Sequence, residues 1–402
     1  WAASLILPFL FDQGLEVTLY ELLHVGLLEY IPFIILLLAL FTISGGVRLK
    51  GTLVGTPLLN TIIIFIGTLL ASWMGTTGAA MLLIRPLIRA NQHRKNKVHV
   101  IVFFIFLVAN IGGSLTPLGD PPLFLGFLKG VDFFWTTSAM LIPMIFMVIC
   151  LLLIFFGLDT YYYRKEGEIF ADSSEKQKLG LEGSFNLILL IGVVFGVLLS
   201  GFWKPHITFE IYHVHLELQN IVRDILLLFL TYASWTLTSK QIRQANEYTW
   251  FPIVEVGKLF AGIFVTIIPA IAILKAGSNG ALASVVSSVS QDGEPINYMY
   301  FWLTGILSSF LDNAPTYLVF FNTAGGVPSI LMNDIPNTLL AISAGAVFMG
   351  ANTYIGNAPN FMVKSISESS GIEMPSFFGY FFKWSVPILM PLFIIVTYIF
   401  FI

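Results

Sequence analysis

Two aspartates, Asp120 and Asp312, lie inside apolar sequence among residues whose side chains offer hard oxygen ligands. An aspartate in a lipid-embedded segment costs at least about 2.5 kcal/mol, so its presence there predicts a function. Burial favours the protonated carboxyl and a bound cation favours the carboxylate, which would couple proton release to cation binding. The other candidates for an ion- or substrate-binding site are Ser72, Thr76, Thr77, Ser114, Thr116, Asn313, Thr316, Asn352, Thr353 and Asn357. The first candidates for Na+ ligands are Asp120, Asp312, Asn313 and Thr353.

Both aspartates also have a structural interpretation as helix caps. Asp120 directly precedes Pro121, and Asp312 stands three residues before Pro315. Aspartate is a good N-cap and proline suits the first turn of a helix, so capping is expected at either position. The two roles are compatible.

The polar sequence around these aspartates occurs twice. ANIGGSLTPLGDPPLFL (109–125) corresponds to AVFMGANTYIGNAPNFM (346–362), each position being 237 residues later. At the same offset, ASWMGTTGA (71–79) corresponds to SSFLDNAPT (308–316). Helix-breaking polar sequence at membrane depth is tolerated only where protein buries it or where it lines an aqueous cavity. Two copies therefore predict one site at the interface of two repeats.

Composition indicates a membrane protein. Of the 402 residues, 56% are hydrophobic and 11% are charged, and the mean hydropathy is +0.85; soluble domains are about 25% charged. Neither a P-loop nor a dinucleotide-binding motif occurs, which argues against ATP-driven transport and leaves no cofactor to expect. The single cysteine, Cys150, allows no disulfide within the chain. Because the first residue is Trp1, we expect the sequence to begin inside a longer product.

The lengths of the apolar runs predict two kinds of helical element. Runs long enough to span about 30 Å of hydrocarbon occur at roughly 27–47, 137–158, 185–202 and 384–402. Two shorter runs of about 14 residues, roughly 21 Å of helix, precede Gly/Thr/Asn sequence and predict broken helices at 98–129 and 336–366. Polar breaks in the middle of two other segments predict re-entrant helical hairpins at 52–90 and 299–323.

These elements divide the chain into four parts. We expect an outer N-terminal segment (1–26), a first repeat (27–160), connecting spans (161–248) and a second repeat (249–402). Glu255 and Lys258 make the start of the second repeat a poor membrane core, so residues 249–260 are expected to form a connecting helix along the interface.

The placement of Lys and Arg predicts that the repeats are inverted. In this topology 16 of the 20 basic residues lie on the side assigned to the cytoplasm, among them Lys176 and the run RANQHRKNK (89–97) after the first hairpin. The second hairpin ends in NTAGGVPSILMNDIPN (322–337), which has no basic residue. The hairpins therefore enter from opposite sides. The predicted fold class is an all-α polytopic membrane protein with inverted repeats, each with a re-entrant hairpin and a broken transmembrane helix.

Three segments resemble one family. SWMGTTGAAMLLIRP (72–86), NIGGSLTPLGDPPLFLGFLKG (110–130) and SFLDNAP (309–315) are similar to NhaD-type sodium/proton antiporters and to their relatives, the citrate-transporter-like members of the ion transporter superfamily. The resemblance covers about 27–402. It implies a homodimer in which a mobile domain, holding the hairpins and broken helices, moves against a scaffold in an elevator mechanism.

The resemblance also implies residue roles. Asp312 and Asn313 match the acidic hairpin motif, and Asn352 and Thr353 stand where sodium-coupled relatives carry a Ser-Asn-Thr signature. Ala351 replaces the serine of that signature, and the first repeat reads Ser-Leu-Thr at 114–116, without the asparagine.

Two functions fit these residues. An antiporter that exchanges Na+, or another monovalent cation, for H+ needs titratable carboxylates without a fixed positive charge, which Asp120 and Asp312 supply. The alternative is a Na+- or H+-coupled carboxylate carrier for a citrate-like anion. It would hold that anion near the same acids, with helix dipoles and Lys129 or Lys364 to offset the repulsion. A scaffold or receptor, the third class, leaves the paired breaks unexplained.

The expected partners are the lipid bilayer, the transported small ion and a second copy of the chain, with no nucleic acid. We expect a non-enzymatic transporter in a bacterial inner membrane. The dimer is expected to form through spans outside the four breaks, including 27–47 and 185–238.

Overall fold

The computed structural model describes residues 2–167, 178–275, 287–291 and 293–402; Trp1 and Lys176 lie outside these ranges. Helices dominate the described residues. They are α1 (Ala2–Val25), α2 (Ile31–Ser44), α3 (Pro57–Met74), α4 (Thr76–Ala90), α5 (Val98–Leu107), α6 (Pro121–Leu128), α7 (Phe133–Glu166), α8 (Phe185–Phe202), α9 (Leu218–Leu237), α10 (Lys240–Ala245), α11 (Phe251–Lys275), α12 (Asn297–Phe310), α13 (Asn313–Thr323), α14 (Pro328–Asn333), α15 (Pro336–Met349), α16 (Ala358–Ser369), α17 (Phe377–Tyr380) and α18 (Val386–Phe400). Strands form antiparallel two-stranded ribbons: β1 (Arg48–Lys50) with β2 (Gly180–Glu182), β3 (Thr208–Ile211) with β4 (Val214–Glu217), and β5 (Ser290–Gln291) with β6 (Glu294–Pro295).

Among the described residues, six helical stretches are long and apolar enough to cross a membrane. They are Ile6–Ser44, Pro57–Met74, Phe133–Glu166, Phe185–Phe202, Phe251–Ile273 and Phe377–Phe400. These stretches confirm the predicted class, an all-α polytopic membrane protein. The first is longer than the predicted span 27–47, because α1 continues through a π-helical turn (Gly26–Tyr30) into α2.

Each predicted hairpin is a pair of helices between which the chain folds back. In the first, α3 ends at Gly75, whose φ of +79° reverses the chain without the penalty of a Cβ. The far ends of the pair meet, since the Gly55 N–H donates to the Ala90 carbonyl at 2.8 Å. In the second pair, α12 and α13, the rings of Tyr300 and Phe320 lie 6.2 Å apart at the ends far from the break.

Each predicted broken helix is interrupted by a short 3-10 turn. α5 is separated from α6 by a turn at Ile111–Ser114, and α15 from α16 by one at Gly350–Asn352. Glycine is required where the two arms cross, because a Cβ on Gly119 would lie 2.1 Å from the Gly113 carbonyl oxygen. The matching Cβ on Gly356 would lie 2.5 Å from the Gly350 carbonyl oxygen.

The helix that begins the second repeat differs from the prediction. Residues 249–260 do not form a separate connecting helix, since α11 runs without interruption over Phe251–Lys275 and includes the candidate span Phe251–Ile273. The physical reason is that Glu255 and Lys258 lie one turn apart and pair with each other at 3.3 Å on the exposed face. The opposite face keeps Phe260 and Phe264 buried.

Candidate functional site

Four helices begin around one cavity of about 90 Å³. Its lining includes residues at the N-termini of α4, α6, α13 and α16, represented by Thr76, Pro121, Asp312 and Ala358. The opposite wall is apolar and comes from α2 and α11, with Phe33 and Phe260 in contact at a ring distance of 4.6 Å. The cavity therefore has one polar side built from helix ends and one side without polar side chains.

Asp120 is the most densely hydrogen-bonded acid of the cavity. Its side chain is 1% exposed. Asn357 Nδ2 donates to Oδ1 at 2.8 Å, Asn313 Nδ2 donates to Oδ2 at 2.6 Å, and the Thr76 hydroxyl donates to Oδ1 at 3.2 Å. These neutral donors satisfy an ionised carboxylate without neutralising its charge.

Asp312 lines the same cavity as Asp120, although the two are 192 residues apart in sequence. Its carboxylate caps α13 by accepting the Ala314 N–H at 3.0 Å, as the sequence predicts for a helix start. Asp120 is also at an N-cap position, but its side chain makes no capping hydrogen bond and is directed to the other repeat.

Two amide oxygens beside Asp120 have no hydrogen-bond partner. Asn313 and Asn357 use their NH2 groups on the carboxylate, and each leaves a buried Oδ1 unpaired among the described residues. A buried polar atom without a partner is unfavourable, by about 1–3 kcal/mol. Side-chain amide and carboxylate oxygens are hard ligands, the type that suits a small hard cation such as Na+. The donor set around Asp120 can therefore hold a small cation.

Other predicted site residues fasten the hairpins to the broken helices. The Thr116 hydroxyl donates to the Ser72 carbonyl, and 237 residues later the Thr353 hydroxyl donates to the Ser309 carbonyl at 2.5 Å. Ser72 in turn donates to the Gly112 carbonyl at 2.5 Å. We call these two sets of bonds, around Ser72/Thr116 and Ser309/Thr353, the clasps. Thr353 also accepts the backbone N–H groups of residues 355 and 356, so its hydroxyl is engaged within the protein.

The remaining predicted residues line the cavity or form hydrogen bonds within the hairpins and broken helices. Thr77 lines the cavity, and Thr316 donates to the Asp312 carbonyl at 3.0 Å. Ser114 donates to the Ile111 carbonyl at 2.7 Å, within the turn of the first broken helix. Asn352 donates to the Ser309 hydroxyl at 2.9 Å and leaves its own buried Oδ1 unpaired.

A second asparagine pair lies behind the cavity; sequence reasoning placed Asn360 among the oxygen donors of the second break but missed Asn110 and the contact between them. Asn110 Nδ2 donates to Asn360 Oδ1 at 2.7 Å, and Asn360 donates to the carbonyls of Gly350 and Thr353 at 2.8 Å each. Both asparagines are fully buried. The sequence shows an asparagine in each broken-helix segment, but only the fold shows that these two asparagines are in contact.

The cavity has no basic lining residue among those the structure describes. The lysines that could offset a second anion are paired elsewhere, Lys129 with Glu29 at 2.5 Å and Lys364 with Glu368 at 2.8 Å. Positive potential at the site therefore comes from the helix N-termini, each of which carries roughly half an elementary charge.

Broken helices that enclose a polar cavity between two helical hairpins define a class, the membrane transporters. A family model described as "Putative citrate transport" (CitMHS_2) matches residues 1–401. The chain belongs to this family and is a membrane transporter of the citrate-transporter type. No curated protein matches the chain. The citrate-transporter-like part of the sequence resemblance is thus confirmed, and the NhaD-type antiporter part stays a prediction.

Proposed function

We propose that the protein carries a small carboxylate across the membrane together with a cation, Na+ or H+. The observation that carries this proposal is the meeting of four helix N-termini at one cavity, because their positive ends can receive an anion. The family match supports the same substrate class. This is the function that our sequence analysis gave as the alternative to an antiporter.

The helix N-termini supply attraction for an anion. Each contributes about 0.3–1 kcal/mol to a nearby negative charge, and up to about 2 kcal/mol in a partly buried geometry. Backbone N–H groups at a helix start can also donate hydrogen bonds to a carboxylate. α6 offers none in its first turn, since Pro121 and Pro122 have no N–H and the Leu123 N–H donates to the Asp120 carbonyl. Four such ends would hold an anionic group, but two of them already face Asp120 and Asp312.

The two acids explain why the anion needs a cation. Two unit charges of like sign 4 Å apart repel by about 4 kcal/mol at an effective dielectric constant of 20. A substrate carboxylate beside an ionised Asp120 would therefore bind weakly until a cation occupies the site. The unpaired oxygens of Asn313 and Asn357 offer ligands to Na+, and protonation of either acid removes the same repulsion.

The repeated contacts support a two-fold relation between the halves. Asp120 and Asn357 occupy equivalent positions, 237 residues apart, and they touch each other. Their neighbours Thr76 and Asn313 are also equivalent, and both donate to Asp120. Equivalent residues meet only near the axis that relates them, so we infer that the axis of an inverted repeat passes through this carboxylate.

The clasps suggest which parts move together. Because Ser72/Thr116 and Ser309/Thr353 fasten each hairpin to its own broken helix, these four elements would travel as one body. The cavity wall from α2 and α11 is apolar, so the moving body would break no side-chain hydrogen bond to this wall when it slides past. We propose an elevator motion of the polar body past this wall, in a homodimer; a bacterial inner membrane stays our prediction for its location.

Sodium/proton antiport is the second candidate. The absence of a basic residue from the described lining favours it, because a cation is then the only charge the acids require. In that case Na+ and H+ would compete for Asp120 and Asp312, and no anion would enter.

Proteoliposomes separate the two functions. Radiolabelled citrate uptake is measured with an inward Na+ gradient, with an inward H+ gradient and with neither, and an internal pH dye records proton movement in parallel. Citrate accumulation that requires one of the gradients supports the carrier. Proton efflux driven by Na+ without citrate, together with no citrate uptake, would establish the antiporter instead.

A further inference from the structure

The ribbon of β3 and β4 has one apolar and one polar face. Phe209 pairs with Leu216, and Ile211 pairs with Val214. Directly opposed residues of an antiparallel pair share a face, so these four side chains form the apolar face. The polar face consists of Thr208, Glu210, His215 and Glu217.

The protein covers only half of the apolar face. Val214, on the strand that packs against α9 and α1, is 1% exposed. On the outer strand, Phe209 is 50% exposed and Ile211 is 46% exposed. Phe209 and Ile211 thus extend beyond the helices that cover Val214, although all three side chains are on the same face of the ribbon.

The connections of the ribbon place it at the membrane surface. It joins α8, a candidate membrane span, directly to α9, which packs along α8 with Leu230 at Gly192. The Leu218 N–H donates to the Ile207 carbonyl at 2.9 Å, which ties the base of the ribbon to the start of α9. The five residues between α8 and β3 keep the ribbon within about 20 Å of the end of α8. If α8 spans the bilayer, the ribbon lies close to the headgroups.

The turn of the ribbon also favours an interfacial position. Tyr212 and His213 have φ values of +47° and +63°, the arrangement of a type I′ turn, where Asn and Gly are usual. A residue with a Cβ in this conformation costs about 1–2 kcal/mol. Tyrosine at such a tip is expected where its apolar ring and hydroxyl match the membrane–water interface.

We infer that the ribbon inserts Phe209 and Ile211 into the headgroup and upper acyl region of the membrane beside α8 and α9, with Glu210 and His215 facing water. A second copy of the chain is the weaker occupant, because these two side chains expose roughly 200 Å², against about 800 Å² per partner in a stable interface. The inference is independent of the transported substrate.

Site-directed spin labelling tests the inference with neighbouring residues as matched controls. In the full chain with Cys150→Ala, single cysteines replace Phe209, Glu210, Ile211 or His215, and each variant is labelled and reconstituted in liposomes. Collision with oxygen, which dissolves in lipid, is compared with collision with a water-soluble nickel complex. Cysteine at Ile149, a 53% exposed position within α7 and outside the spans expected to form the dimer, serves as the lipid reference.

We expect a severalfold higher oxygen-to-nickel ratio at 209 and 211 than at 210 and 215, with the first two approaching position 149. Equal, water-like ratios at all four positions would overturn the inference, since the ribbon would then stand in solvent. Protection of 209 and 211 from both reagents with spin–spin broadening would also overturn it and identify a second copy as the occupant. A melting temperature in detergent equal to that of the parent shows that each labelled variant is folded.

Discussion

Two buried aspartates in this protein have opposite electrostatic surroundings. Asp159, in α7, is 0% exposed; it contacts Arg94 in an ion pair, lies 2.7 Å from His99 Nε2 and accepts a hydrogen bond from Asn60 at 2.9 Å. Asp120 is equally buried, but its side-chain partners are two amides and a hydroxyl. Charge is thus neutralised within the protein at Asp159, whereas Asp120 has no charged partner among the described residues. Under the proposed function, a bound cation or a proton neutralises Asp120.

The difference separates an acid that the fold needs from one that the proposed transport would use. The Asp159 cluster joins the base of the first hairpin to α7, since Asn60 and Arg94 flank that hairpin. Breaking the Asp159 cluster should destabilise the fold and leave the transport activity of the folded molecules unchanged. The Asp120 cluster joins the two repeats, and removing its charge should inactivate without unfolding. The predictions test both halves of this comparison.

The largest effect is expected for Asp120→Asn, which should abolish cation-coupled transport. The substituted amide has no charge to exchange with a cation. The fold should persist because Asn313 and Asn357 can rotate their amides and present the oxygens that are now unpaired. Citrate uptake and pH-dye signals in proteoliposomes measure the loss, and the melting temperature in detergent measures folding.

Asp334→Asn is the matched control, since Asp334 is exposed and lies outside the cavity lining. It should transport like the parent. Coupled transport at the parental rate in Asp120→Asn would remove this carboxylate from the mechanism and leave Asp312 as the candidate.

The next effect is expected for Asp159→Asn, which should destabilise the protein by about 3–5 kcal/mol, because Arg94 loses its counter-charge while it stays buried. Glu166, 3.6 Å from the same guanidinium, stays as a second ion-pair partner, so the loss should fall at the lower end of this range. Thermal unfolding in detergent measures the loss, and transport per folded molecule should be unchanged. The double variant Arg94→Met/Asp159→Leu should recover stability; failure to recover would show that the cluster contributes more than its charges.

A smaller effect is expected for Gly119→Ala, where the new Cβ would fall 2.1 Å from a backbone oxygen and force the two arms of the broken helix apart. Overpacking of this kind costs typically about 1–3 kcal/mol. It should displace the neighbouring Asp120 and reduce the transport rate. Gly262→Ala is the control, because no atom lies within 4 Å of its Cβ position inside α11. That change should be neutral or stabilise by about 0.5–1 kcal/mol. Equal effects of the two changes would mean that the crossing is not tight.

The repeat at an offset of 237 predicted that the breaks meet at one site, but not which side chains bond across it. Repeated glycines, prolines and hydroxyl residues mark the hairpins and broken helices, because a helix interrupted in lipid must be compensated locally. The contact between Asp120 and Asn357 joins residues 237 positions apart, and no local pattern distinguishes that asparagine from a helix cap. The pairing of Arg94 with Asp159 is likewise long-range. α11 was misjudged because two charges looked incompatible with a span, although they pair on one face.

The smallest effect concerns a surface ion pair that needs no guest, between β1 and β2. Lys50 and Arg48 donate to Glu182 at 2.8 Å and 3.1 Å, and the hydrogen bond from Lys50, followed by the charge of both bases, holds the pKa of Glu182 below its ordinary value. A lowered pKa in the folded state stabilises the ribbon at pH values above the pKa of unfolded glutamate, about 4.3. This contribution is lost as the pH falls through the lower, folded value. The difference in melting temperature between the parent and Glu182→Gln should therefore be small at pH 7, since exposed ion pairs contribute little, and should vanish in acid below the folded pKa. If the melting temperatures still differ at that acid pH, Glu182 stabilises the protein through packing. Exposed and buried acids of this protein would then differ in packing as well as in their charged partners.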